Sequence, residues 1–508
     1  MKQRLLILTP WLLHSISRPF CRCSCSSYVP PVTRAFRPPI LNAMASSFQT
    51  RSLHQNPDFG RHRYWYTVGV GKQQCGKNKN RNSRAKACAA AQPTETDRDR
   101  YEFTLMCYNI LAQDLLESHG SLYADHDPRS LTWNHRYERL KAEINLVQPD
   151  VLCVQELQEN HTDYFIAGLR QDYKMLYKKR TGGEKTDGCA LLYRSDLFDL
   201  VTYHKIEYFQ PKVNKLNREN VAIVAKLALK ANPRAKIVVA TTHLLYNPRR
   251  QDIRLAQVQL LLAELDRFAY SGTNENGIPR YDPVVLCGDF NLQPFSAPYE
   301  LLLTGNLRYE QLASRSLRPT NSHGYEYPLG KYFLPPALGI TDKCQHNVLR
   351  DRSEQGHCDK VPPSHVTKLY HSTHRSARAA EPVPNMNPEN TTTVPVIDCR
   401  KEFSSGSLTH RFVFKSAYRH NPRDPEERQQ ATTFQDEWIT VDYLFYTPYR
   451  SVDECNKELP NWNLELLQTY ALPTVQQCCW EIGAIPNRVY GSDHFALAGR
   501  FLLTVPKA

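Results

Sequence analysis

Six times in this 508-residue sequence an apolar run of strand length meets a carboxylate, an amide or an imidazole at its edge or within it, and this recurrence limits the fold more than any other feature. Residues 103–108 lead into Asn109, 151–154 into Gln155 and Glu156, and 236–241 into Thr242 and His243. Residues 284–287 lead into Gly288, Asp289, Phe290 and Asn291; Asp442 stands inside the run 441–445; and Ser492-Asp493-His494 precedes the run 495–503. A carboxylate flush against a core strand is costly unless it is paired or binds a metal. A single Asp after a strand is usually a turn residue. Six such groups in one chain instead call for a fold that gathers the ends of its central strands in one place. Asp442 is the sharpest case, lying between Val441 and Tyr443 in a strand that reads as buried. Gly288 permits the backbone path that points Asp289 and Asn291 into a common space.

The runs 103–108, 151–154, 189–193, 221–228, 236–241, 284–287 and 441–445 read as strands alternating with amphipathic stretches, the rhythm of a layered α/β domain. Over 252–268, Ile253, Leu255, Val258, Leu261, Leu262 and Leu265 recur at helical spacing and predict an amphipathic helix. Ser296 is placed to cap a second helix, with Pro298 in its first turn and Gly305 past its end. Between 345 and 402 no apolar stripe runs through the Pro, Ser, Thr, Asn, His and charge, so this stretch reads as a disordered insertion; strand-like sequence resumes at 409–414. One domain is therefore expected over 100–508, behind a basic segment at 1–55 and a basic linker at 56–99. The stretches 151–156 and 284–289, each an apolar strand closed by an acid, hint at paired halves.

Charge must be located before it is interpreted. The formal balance is +13, and residues 1–100, with 17 Lys and Arg against 4 Asp and Glu, hold all of it. The body is neutral, so an acidic substrate has to be held by local groups and not by a global field. The first acid is Asp58, after seven Lys and Arg and many serines. That start reads either as a mitochondrial transit peptide or as a basic tail, including sequence ahead of an alternative start at Met44. The apolar run 5–13 is too short to span a bilayer and contains Pro10. Fifteen cysteines without regular spacing, among them Cys107, Cys153 and Cys287 inside apolar runs, favour a reducing, intracellular compartment. Cytoplasm, nucleus and mitochondrion all remain open. Cys21, Cys23 and Cys25 lack zinc-site spacing.

The strand-end groups share a chemistry. Glu156 is a hard oxygen ligand suited to Mg2+, or to Mn2+, and no cluster offers the His and Cys set that zinc prefers. Asp289 can align or deprotonate a water, while Asn291 and Asn109 can donate to phosphate oxygens without adding negative charge. His494 paired with Asp442 would stay cationic and stabilise developing charge, and His243 offers a second donor. Together they describe in-line hydrolysis assisted by a metal.

The strings Cys107-Tyr-Asn-Ile-Leu-Ala, Val154-Gln-Glu-Leu, Thr242-His-Leu-Leu-Tyr-Asn-Pro, Cys287-Gly-Asp-Phe-Asn, Thr440-Val-Asp-Tyr and Ser492-Asp-His resemble the motif set of the endonuclease/exonuclease/phosphatase superfamily, in its order. Within it they resemble the carbon-catabolite-repressor/nocturnin branch, and residues 242–254 and 180–190 resemble the Angel subgroup. The resemblance implies a four-layer sandwich of two central sheets flanked by helices, and Mg2+ dependence with Glu156 as principal ligand. It also implies site roles for Asn109, His243, Asp289, Asn291, Asp442, Asp493 and His494, with Asp493 on the metal side. DNA-repair members often carry an acid where this chain has Leu111, which argues against a DNA-repair role and for RNA. The implied reaction is either hydrolysis of 2′,3′-cyclic phosphates at RNA 3′ ends or 3′–5′ exoribonuclease (deadenylase) action.

Two rival classes stand against this reading. A catalytically inactive RNA-binding scaffold would be expected to have lost a metal or base residue, and none of the eight is missing. A phosphatase of small nucleotides or inositol lipids is disfavoured by the lack of a membrane-binding amphipathic helix. For substrate contact, Arg249 and Arg250 could hold RNA phosphates, though a solvated helix start explains them equally well. The run Lys178-Lys179-Arg180 is open to the same two readings. Tyr246, Phe295 and Trp438 are candidates for stacking on bases, or ordinary core and rim aromatics.

Overall fold

The computed structural model describes residues 58–68, 98–274, 277–320, 326–349, 399–448 and 462–507. Two large sheets, of seven and six strands, dominate it. In chain order the strands are β1 (Trp65–Thr67), β2 (Arg98–Asn109), β3 (Val151–Gln158), β4 (Tyr173–Lys179), β5 (Asp187–Arg194), β6 (Phe198–Glu207), β7 (Val221–Leu229), β8 (Asn232–His243), β9 (Val284–Asp289), β10 (Lys415–Ser416), β11 (Asp442–Tyr446), β12 (Asn463–Tyr470) and β13 (Leu497–Pro506). The first sheet runs β1-β12-β13-β2-β3-β5-β4 and the second β10-β11-β9-β8-β7-β6.

Side chains alternate across each strand, so every central strand must find two apolar surroundings. Leu105, Cys107, Cys153, Cys189 and Leu191 of the first sheet meet Ile223, Val239, Val285, Cys287 and Leu444 of the second in one buried layer. The thiols there are free and behave as small apolar groups. On the outer face of the first sheet, Met106, Tyr108, Leu152 and Val154 pack against helix α1 (Trp133–Val147) through Tyr137, Leu140 and Ile144. On the outer face of the second, Val224, Val238, Ala240 and Leu286 meet helix α2 (Gln251–Ala269). Helix, sheet, sheet, helix make the four layers that the sequence implied.

The paired halves are real in one respect. β3 runs parallel to β2, with Asn109 opposite Gln155, and β9 runs parallel to β8, with Asp289 opposite His243. Each parallel pair therefore carries its acid where the pairing stops.

Several expectations need correction. Part of the supposed linker belongs to the domain: Phe59 is in the core, β1 pairs with β12, and Arg63 is buried with its Nε 3.1 Å from Glu143. Residues 69–97 lie outside the described residues, as do 1–57 with the proposed leader and its cysteines. The insertion is narrower than 345–402, because Gln345 and His346 are buried and Asn347–Leu349 forms a short 3-10 turn; 350–398 are not among the described residues. The stretch 409–414 is not a strand: Ser407–Thr409 pairs with Asn306–Arg308, and Phe412 and Phe414 simply fill the core. Finally, α2 is not amphipathic in use. Leu317, Phe333, Leu334, Leu338 and Ile340, from the chain that follows, cover its outer side. Polar residues of the helix are also drawn inside, as is Gln259, whose Nε2 donates to the carbonyl of Thr341 at 3.1 Å. Helix α3 (Ala297–Thr304) forms with Gly305 left-handed at φ 74°, but Ser296 at its start caps no backbone N–H and donates instead to the carbonyl of Gln293 at 2.8 Å. Among the described residues no helix is long and apolar enough to cross a membrane.

Candidate active site

An amide ties the two sheets together at the ends of their parallel strands. Asn109, at the end of β2, donates from Nδ2 to Glu156 Oε1 and to Asp289 Oδ2, both at 3.0 Å. Glu156 sits at φ 61°, where the β3–β5 register breaks between Val154 and Leu157, so the strand turns its acid out of the sheet. Its Oε2 accepts from the backbone N–H of Ala112 at 3.0 Å. Asp289 follows Gly288, whose φ is 146° and where a Cβ would stand 2.0 Å from the carbonyl oxygen of Thr242. Only glycine lets β9 lie this close to β8 and bring Asp289 beside His243. His243 Nε2 is 3.6 Å from Asp289 Oδ2 and 4.0 Å from Glu156 Oε1. Asn291, left-handed at φ 53°, donates its backbone N–H to Asp289 Oδ1 (2.9 Å) and its Nδ2 to the carbonyl of Leu244 (3.1 Å).

A second branch comes from β11 and the turn before β13. Asp442 Oδ2 lies 2.8 Å from His494 Nδ1, and His494 Nε2 is 3.9 Å from Asp289. Ser492 ties this turn to β2 by donating to the carbonyl of Asn109 at 2.7 Å. Asp493 accepts from Tyr123 Oη at 2.7 Å.

Burial and mutual repulsion set the electrostatics. Burial, then the charge of Asp442, pushes Asp289 up to about 8, and burial with Asp493 raises Glu156. Burial lowers His243 to about 3, helped by Arg180, so it is neutral near pH 7. His494 goes the other way. Burial alone would depress it, but Asp442 by charge and hydrogen bond, then Asp493 and Asp289, hold it well above the ordinary imidazole value. It stays cationic.

Two trios place one ligand atom each within 4.8 Å of one another: Glu156, His243 and Asp289; and Asp289, Asp442 and His494. The first fits a divalent cation, because it holds the buried Asp289 and the partly buried Glu156, both pushed above their normal range, which a cation would favour in ionised form. Asp493, expected on the metal side, acts on Glu156 through its charge but is in neither trio.

Not every expected residue joins the cluster. Arg250 is spent on Asp252, with two hydrogen bonds of 2.9 Å, and Arg249 points to solvent. The arginine that feels Asp289 is Arg254, whose guanidinium holds the carbonyls of Leu245 and Tyr246 at 2.7 Å each. Trp438 stacks on Phe495, with ring centroids 5.9 Å apart, whereas Tyr246 and Phe295 are about half exposed. Sequence reasoning missed Tyr123. It stands in no periodic run and only the fold brings it to Asp493. It also missed Gln155 as a tie between sheets, donating to Thr241 Oγ1 at 2.8 Å.

A parallel-strand seam between two sheets, ending in acids, amides and a charged His–Asp pair, defines a phosphoester hydrolase, and the chain belongs to the Endonuclease/Exonuclease/phosphatase family, which it matches over residues 106–494. Its branch is that of the angel proteins. The chain is 34% identical over 412 residues to protein angel homolog 2 of Bos taurus, covering 79% of this chain and 70% of that protein. It is 32% identical over 437 residues to protein angel homolog 1 of Rattus norvegicus, covering 80% of this chain and 64% of that one. Among solved structures, ANGEL2, a 2′,3′-cyclic phosphatase, in complex with adenosine-2′,3′-vanadate superposes with a TM-score of 0.59 at 31% identity, over 80% of this chain and 98% of that one.

Proposed function

We propose that this protein hydrolyses 2′,3′-cyclic phosphates at RNA 3′ ends with Mg2+ as cofactor. The observation that carries the reading is the Asn109 bridge, which holds Glu156 and Asp289 together at the seam and supports a shared position for a cation and a substrate phosphate. The substrate class is inferred from the likeness to ANGEL2, whose ligand joins vanadate to the 2′ and 3′ positions of adenosine.

Glu156 and Asp289, with His243 beside them, would hold Mg2+, which when bound polarises a phosphoryl oxygen. The remaining work falls to this chain's residues. Asp289 aligns a water against phosphorus and takes its proton, fixed for that task by the N–H of Asn291. His494, cationic and anchored through Nδ1 by Asp442, presents Nε2 to the negative charge that builds on the phosphoryl oxygens. The uncharged amide of Asn291 lends donor capacity at the seam without repelling the substrate. Attack of water forms one P–O bond and breaks the bond from phosphorus to the 2′ or 3′ oxygen, which receives a proton. Exonuclease action uses the same groups but breaks the bond to the next nucleotide.

The test is to incubate the full-length protein and Mg2+ with 5′-labelled RNA ending in a cyclic phosphate and with oligo(A). Loss of the cyclic end at unchanged length is expected. A shortening ladder with the cyclic end untouched would overturn the proposal in favour of a 3′–5′ exoribonuclease.

A further inference from the structure

Beside the catalytic cluster stands a polar pair that the chemistry above does not use. β4 and β5 are joined by residues 180–186, so Arg180 opens this loop and Asp187 begins β5 just past it. Asp187 is opposite Gln158, two positions along β3 from Glu156. It shares a strand face with Cys189 and Leu191, which lie between the sheets. The N–H of Thr181 bonds the carbonyl of Glu219 at 3.2 Å, just before β7, whose first residue pairs with His243. The loop is thus fixed on the side of the site where His243 stands. Both charges reach that imidazole, Arg180 lowering it and Asp187 raising it.

The pair is incompletely matched. Arg180 Nη1 is 3.5 Å from Asp187 Oδ1, a long contact, although the Asp187 side chain is only 1% exposed. Asp187 Oδ2 and Arg180 Nε are both buried with no hydrogen-bond partner among the described residues. A buried acceptor and a buried donor left open within one ion pair can be met by one group that donates and accepts together. A ribose 2′-hydroxyl is such a group, and it is the mark by which a protein tells RNA from DNA. In a strand ending in a 2′,3′-cyclic phosphate the terminal 2′ oxygen is esterified and cannot donate. The first free 2′-hydroxyl belongs to the next nucleotide upstream.

We propose that Asp187 and Arg180 form a subsite for the 2′-hydroxyl of the penultimate nucleotide, Asp187 Oδ2 accepting its proton and Arg180 Nε donating to its oxygen. This rests on the cyclic-phosphate reading, and the test separates the two. Full-length protein with Mg2+ is given three 5′-labelled RNAs of one sequence, all ending in a cyclic phosphate. One is all-ribose, one is 2′-deoxy at the penultimate position, and one is 2′-deoxy four nucleotides further upstream. Wild type is expected to lose about tenfold in kcat/KM, chiefly through KM, only on the penultimate deoxy strand. Asp187→Ala and Arg180→Met are expected to show a similar loss on the all-ribose strand and no further loss on the deoxy one. Equal wild-type rates on all three strands, or a deoxy penalty that persists in Arg180→Met, would overturn the subsite. Failure of wild type to open any cyclic end overturns the parent reading, and the subsite with it.

Discussion

Two buried charge clusters in this molecule differ in one respect, and the difference explains why one is structural and the other reactive. On α2, Glu264 is bonded by Arg267 Nε at 2.8 Å and by His346 Nε2 at 3.1 Å, with all three side chains almost fully buried. Burial alone would raise Glu264, but His346 and Arg267 hold it well below the usual carboxylate range. Glu264 is bonded on both sides and stays ionised. At the seam, His494 is the cation nearest Asp289, at 3.9 Å, Arg254 acts on it only through its charge, and burial with Asp442 still raises Asp289 to about 8. A buried group set with too many acids has stored repulsion that a divalent cation and a substrate phosphate can resolve. The chain keeps its stability in the first place and its chemistry in the second.

The contrast can be broken experimentally. The largest effect should come from Asp289→Ala, which loses the water-aligning carboxylate and should reduce kcat by roughly three orders of magnitude or more. Its unfolding temperature without Mg2+ should hold or rise, and a large fall would erase the distinction between the clusters. Glu264→Ala should do the reverse, removing the buried carboxylate that Arg267 and His346 bond and costing roughly 3–5 kcal/mol in a urea titration, with kcat per folded molecule unchanged. Next in size is pH. Below about 8 Asp289 binds a proton that a metal must displace, so apparent Mg2+ affinity should strengthen by up to about tenfold per pH unit from 6 to 8. Calorimetry in two buffers of different ionisation heat would read that proton directly. The smallest effect should be Tyr123→Phe, which frees Asp493 of one hydrogen bond and should lower kcat/KM by about threefold to tenfold.

The central strands were legible because each buries both faces and reads as an unbroken apolar run. The strands 284–287 and 221–228 were placed to within two residues at either end. β4, β6 and β12 were not legible, since their exposed positions interrupt the apolar signal, as in Phe198–Glu207, where exposed and partly buried residues alternate. Residues 58–68 were hidden for another reason. Their basic composition reads as solvated, and nothing local reveals that Arg63 will find Glu143 eighty positions away. The site was legible where a residue abuts a core strand, as with Glu156, Asp289 and Asp442. It was not where a loop supplies the contact, as with Tyr123, and Arg250 misled because its partner Asp252 is two residues off. The motif that includes Arg180 and Asp187 was visible, but its geometry was not.

The claim beneath all of this is that the seam acids are unbalanced until a divalent cation arrives. The direct measurement is unfolding temperature against Mg2+ concentration for wild type and Asp289→Asn at pH 7 and 8. Without metal, Asp289 is protonated more readily folded than unfolded, so wild type should lose stability as pH rises toward 8. Mg2+ should restore it, more effectively at pH 8, while Asp289→Asn should start higher and respond little. Identical Mg2+ and pH responses in the two proteins would contradict the account.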